Sequence, residues 1–299
     1  MVARGLRIAS LLVAGAALAL ALWLAGRGSP APLALSLAAV FVFALHGLPL
    51  AIEFVTGALI DPRPPGRLGP LAFVRLWWGE TWRQFRVFMI DQPWRSRFAE
   101  PALQFDPQRP ALLLIHGYVC NRATWRPWLA PLAAGRNLAT VNLEPAFGPI
   151  ERYVEIIAAA VERLQAGSGA RRVILVGHSM GGLAAREYLR VHGGRRVERL
   201  ITLATPHHGT VFARLGQGAN ARQMRRDSAF ITRLGATPCP VPVTCVATQH
   251  DNLVVPRSSP VLPGADVVWL DRVGHLALTN DTRALAAVIA AVDRRPSPG

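Results

Sequence analysis

The sequence predicts an α/β protein: a mostly parallel sheet covered by helices on both faces, preceded by two transmembrane helices. Three observations carry this. From Pro110 onward, short apolar runs alternate with amphipathic helical runs, a beat that requires right-handed crossovers and a parallel sheet. One such run, 172–176, meets Gly177-His178-Ser179-Met180-Gly181 and then a helix-favouring stretch, and so reads as strand, sharp turn and helix. Ahead of them, residues 8–25 and 33–52 carry no formal charge and approach the roughly 20 residues that cross a bilayer.

In chain order, the first apolar run follows Arg4 and Arg7, and the polar turn 26–30 separates it from the second. A signal peptide would share the early arginines, but the second run and the lack of a small-x-small cleavage site favour a membrane hairpin. Arg4 and Arg7 before the hairpin, and Arg63, Arg67 and Arg75 after it, outweigh Arg27 in the turn, which places both ends on the cytoplasmic side of a bacterial inner membrane. His46, Pro49 and Glu53 read as a kink and an interfacial helix end. Residues 61–70 form a proline and glycine linker. After it Val74, Trp77, Trp78, Trp82, Phe85, Phe88 and Met89 recur at helical spacing, with Arg75, Arg83 and Arg86 on another face. Such a helix either lies at the headgroup level or packs its aromatic stripe on the following domain. Strands are then expected at 111–115, 138–143, 173–176, 197–203, 241–247 and 266–270. Helices are expected at 124–134, 150–165, 183–190 and 282–292.

Composition sets the classes aside. The 299 residues are 51% hydrophobic, with a mean hydropathy of +0.27, high for a wholly soluble chain. All 33 basic residues are arginine and the net charge is +15, but they are scattered, without a basic run or a nucleic-acid motif. Lipid contact on an arginine-rich background is therefore expected, and nucleic acid is not. Cys120, Cys239 and Cys245 lack CxxC spacing and read as thiols rather than a disulfide framework. No metal-ligand spacing appears, and no cofactor is expected.

The chemistry gathers at Ser179. Gly177 and Gly181 let the chain reverse where a Cβ would collide, leaving the serine hydroxyl at the carboxyl edge of the sheet. The helix that follows points its unpaired N–H groups at that hydroxyl, where negative charge develops in acyl transfer. A serine hydroxyl needs a base, and eight histidines compete for that role.

His116-Gly117 after the first strand, the Ser179 elbow, Thr205-Pro206-His207-His208-Gly209-Thr210, Asp251 and His275 together resemble the α/β-hydrolase superfamily in its compact form. Within it the set is similar to the bacterial lipase and esterase branch, which includes triacylglycerol lipases; the likeness covers about 109–292. The resemblance implies a catalytic triad of Ser179, Asp251 and His275, with Glu144 the nearest rival acid. It implies backbone oxyanion donors at Tyr118 and Met180, and supporting roles for His116, Gly117, Gly177, His178 and Gly181. Trp125, His207 and His208 are expected to face substrate, with Trp128 a weaker candidate, and residues 205–240, longer than an ordinary strand-helix connection, are either a substrate-facing lid or a merely decorative helical insertion. The chain then divides into a hairpin at 1–60, a linker and interfacial segment at 61–108, and a catalytic domain at 109–299. The activity implied is a membrane-anchored serine hydrolase acting on carboxylic esters of lipids or other acyl groups. Acyl transfer, thioester cleavage or amide cleavage would use the same residues, and a non-catalytic binding scaffold is the alternative of another class.

Overall fold

The computed structural model describes residues 2–61 and 68–294. Arg63, Arg67 and most of the expected linker lie outside the described residues. Two helices open the chain, α1 (Val2–Gly26) and α2 (Ala31–Ile60), with mean hydropathies of 2.3 and 2.1 over their most apolar windows. They are long and apolar enough to cross a bilayer, and most of their large side chains, such as Leu12, Leu22 and Leu48, stand exposed.

Helix α3 (Pro70–Phe85) runs on through a π-helical turn, Arg86–Asp91, into the single turn α4 (Gln92–Trp94). Part of its aromatic stripe packs on α2, where Trp77 donates its indole N–H to the Gly47 carbonyl at 2.7 Å, while Trp78 and Trp82 remain about half exposed. Arg83 corrects the expected polar face. It is buried and turns inward, donating to the Thr124 carbonyl at 3.1 Å and to Thr279 Oγ1 at 2.9 Å.

The sheet comprises β1 (Ala111–Ile115), β2 (Leu138–Thr140), β3 (Val173–His178), β4 (Val197–Leu203), β5 (Val243–Thr248) and β6 (Asp266–Leu270). Their order is β2-β1-β3-β4-β5-β6, with every pairing parallel. Buried central strands suit the runs that encode them: β1 and β3 have no exposed residue, as a parallel sheet covered on both faces demands. Two apolar layers do the covering. One packs α6 (Tyr153–Ser168) and α7 (Met180–His192) on one face; the other packs α5 (Arg126–Ala133) and α10 (Thr282–Asp293) on the opposite face.

Two strands are shorter than their apolar runs. β2 stops at Thr140 because the Leu143 N–H is taken by His116 Nε2 at 3.0 Å instead of by the sheet. β5 starts at Val243, after Pro242, which has no N–H to give. Between β4 and β5, residues 205–240 fold into a short 3₁₀ turn, α8 (Gly218–Gln223) and α9 (Ala229–Gly235). All three cysteines are free thiols, with Cys120 and Cys245 buried.

Candidate active site

Central strand β3 delivers Ser179 to the carboxyl end of the sheet. The residue holds φ of +54° and ψ of −125°, a conformation that L-residues adopt only when their surroundings impose it. The flanking glycines show what imposes it. A Cβ on Gly177 would come within 2.6 Å of the Gly182 backbone, and one on Gly181 would strike the Ile115 carbonyl of β1. The helix α7 thus enters so close to the sheet that neither position tolerates a side chain. Met180 is its first residue, and the opening N–H groups of a helix have no acceptor within it.

The loop after β5 brings Asp251 to His275. Both carboxylate oxygens lie 3.0–3.1 Å from Nδ1, and the same carboxylate accepts the N–H groups of Leu253 and Val254 at 2.8 and 2.7 Å. Burial opposes charge on the His275 ring, but the charge and hydrogen bond of Asp251, followed by the carboxylates of Glu80 and Glu53, hold it above the ordinary imidazole value. His275 and Ser179 line one cavity of about 270 Å³. Glu144 lies elsewhere, in a surface cleft with Arg4, Arg7 and Arg122.

Gly117 and Tyr118 edge the same cavity, and a Cβ on Gly117 would lie 3.0 Å from that of Ser179. The Tyr118 N–H has no backbone acceptor among the described residues. Its hydroxyl is bound twice to Gln217, donating to the carbonyl at 2.7 Å and accepting from the N–H at 2.8 Å. The first loop is thereby clipped to the 205–240 segment. That segment turns Phe212, Leu215 and Met224 into the cavity and keeps Arg214, Arg222 and Arg225 on a separate outer cleft.

The supporting histidines are spoken for. His116, pushed down to about 4 by burial, bonds the Gly117 carbonyl through Nδ1 at 2.9 Å and accepts from Leu143 through Nε2. His178 is also held neutral by burial and by the neighbouring His275; its Nε2 lies 3.1 Å from the His275 carbonyl.

Three residues expected to face substrate do not line this cavity. Trp125 is fully buried beside Trp128 in the layer beneath α5 and α10. His207 sits in the interior between Arg186 and Thr202, and His208 is exposed and bonds the Val261 carbonyl. In their place the structure brings in side chains from the segment ahead of the sheet: Glu53 of α2, and Glu80, Gln84 and Phe88 from α3 and its π turn. Glu53 therefore forms part of the cavity wall. The sequence signal for both acids was a single carboxylate in an otherwise apolar or arginine-bearing helix.

A sequence profile of the α/β-hydrolase fold matches residues 110–229, which span the elbow, the first loop and most of the 205–240 segment. Residues 110–229 thus carry the α/β-hydrolase fold. The chain is 41% identical over 66 residues to a triacylglycerol lipase of Pseudarthrobacter phenanthrenivorans, covering 22% of this chain and 20% of that one. It is 32% identical over 108 residues to epoxide hydrolase 3 of Xenopus tropicalis, covering 34% and 29%. The matched regions thus span well under half of these relatives' own lengths. Among solved structures, the mature lipase BlEst2 of Bacillus licheniformis superposes with a TM-score of 0.56 at 18% identity, over 64% of this chain and 96% of that one. Lipase B of Aspergillus fumigatus gives 0.56 at 20% identity, over 66% and 56%.

Proposed function

We propose that this α/β hydrolase is a membrane-anchored serine hydrolase that cleaves carboxylic esters of lipids or similar acyl groups. One observation carries the reading: the strained turn at Ser179 shares an apolar cavity with a His275 ring held by Asp251. Ser179 Oγ bonds to the ester carbonyl carbon while His275 Nε2 takes its proton, and the carbonyl oxygen becomes an oxyanion facing the Tyr118 and Met180 N–H groups. Collapse breaks the ester bond, and the leaving alcohol takes the proton from His275. Water then attacks the acyl-serine by the same route, releasing the acid and restoring Ser179. Asp251 accepts from Nδ1 throughout. The relatives named as lipases support an ester substrate, and the apolar cavity supports an acyl chain.

On this reading α1 and α2 form a hairpin in the membrane, the segment to about residue 108 joins it to the catalytic domain, and that domain lies on the cytoplasmic side. Reporter fusions at Ser29 and after Asp293 test the placement; an exported reporter after Asp293 would reverse it.

The activity test is hydrolysis of a chain-length series of chromogenic esters by the detergent-solubilised chain beside Ser179→Ala. Turnover lost by about a millionfold with the serine is expected. Equal inactivity of both on every ester would sink the ester reading and move the search to thioesters, amides and acyl transfer.

A further inference from the structure

We propose that Glu80 is a positioning residue for His275, so that α3 forms a working wall of the active site as well as joining it to the hairpin. The proposal rests on the reading of His275 as the base.

The geometry is specific. Glu80 is 1% exposed, and its two oxygens accept the N–H groups of Leu276 and Ala277 at 2.7 and 2.9 Å. On the other side of His275, Gly274 leaves room for the carboxylate; a Cβ there would lie 2.6 Å from Glu80 Cδ. One carboxylate, carried 196 residues away in the chain, therefore holds the backbone just after the base and packs against Gly274 just before it. The His275 N–H is held as well, by Asn252 Oδ1 at 3.0 Å, and Asn252 in turn donates to Glu53 of α2 at 2.7 Å. Asp251 orients the ring; the two carboxylates ahead of the sheet orient the segment that bears it.

A polar cap for two N–H groups needs no charge, and burying a carboxylate is costly. Its charge gains value because His275 becomes an imidazolium in the transition state. The charged and titratable groups around that ring are Asp251 from the loop after β5, Glu80 from α3, Glu53 from α2, and His178 from the elbow, which burial keeps neutral. Arg83 faces Glu80 from the next turn of α3 and is itself drawn toward Asp91. Carboxyl groups thus outnumber cationic ones around the base. Glu80's own carboxyl is raised by burial and lowered by the two N–H groups it accepts, with burial the larger effect.

The test uses the full chain in detergent, comparing wild type with Glu80→Gln, which keeps the shape but removes the charge and one of the two acceptors, and Gly274→Ala, which pushes the carboxylate aside. The His275 ring is titrated by NMR, with His275→Asn assigning its signal, and kcat and KM are followed against pH on the best ester. Both variants should lose about tenfold to a hundredfold in kcat with KM much less affected. In Glu80→Gln the His275 midpoint and the acid limb should move together to lower pH. Wild-type kcat in both variants overturns the proposal, and so does a Glu80→Gln protein whose midpoint stays in place while only its stability falls. Should Glu80→Gln fail to fold, the kcat of Gly274→Ala decides. If the wild type hydrolyses no ester, the NMR midpoint still tests Glu80 while the ester reading falls separately.

Discussion

Because Asp251 meets the His275 Nδ1 with both oxygens, Asp251→Asn should leave the ring in place but favour the wrong tautomer. A loss of about 10⁴-fold in kcat is expected, measured on the best ester. The pH profile has a definite sign. On the proposed mechanism His275 must be neutral to accept the Ser179 proton, and its environment holds its pKa above the ordinary imidazole value, so activity should fall as pH drops through a point above that value. An acid limb below the ordinary imidazole value would contradict this arrangement. Cys120, whose thiol burial pushes up to about 11, should resist alkylation at pH 8 in the folded chain, which mass spectrometry after timed iodoacetamide treatment would show. Residues of this kind differ in how far the sequence reveals them. Ser179 is visible because a backbone constraint leaves glycines beside it. Trp125 misled because nearness in sequence to the Tyr118 loop says nothing about which face of the sheet receives an indole.

At the scale of elements, Asp281 shows how a local rule fixes a boundary: its carboxylate accepts the N–H groups of Arg283 and Ala284 and opens α10. Asp281→Ala should cost about 1 kcal/mol, read as a lower Tm with KM unchanged. The alternation of strand and helix was legible on equally local grounds, since each run carries its own period. Helix α3 was half legible. Its aromatic stripe follows a 3.6-residue period, but the inward turn of Glu80 and Arg83 depends on Leu276, Thr124 and Thr279, partners that no local window contains. The ends of β2 and β5 moved for equally particular causes, a histidine ring that captures one N–H and a proline that lacks one.

At the scale of the whole molecule, the residues ahead of the sheet and the loops behind it form one site. Gln92 accepts the Asn121 N–H at 2.6 Å beside the Tyr118 loop, as Glu80 does beside the His275 loop. A chain beginning at residue 109 should therefore lose turnover even where circular dichroism shows a folded sheet. Tyr118 has a consequence of another kind. Its N–H is the proposed oxyanion donor, and its hydroxyl fastens the 205–240 segment at Gln217. Any outward swing of that segment to admit a long acyl chain unfastens the residue that the next bond-making step requires. Admission and reaction would then alternate, like a canal lock whose two gates are never open together.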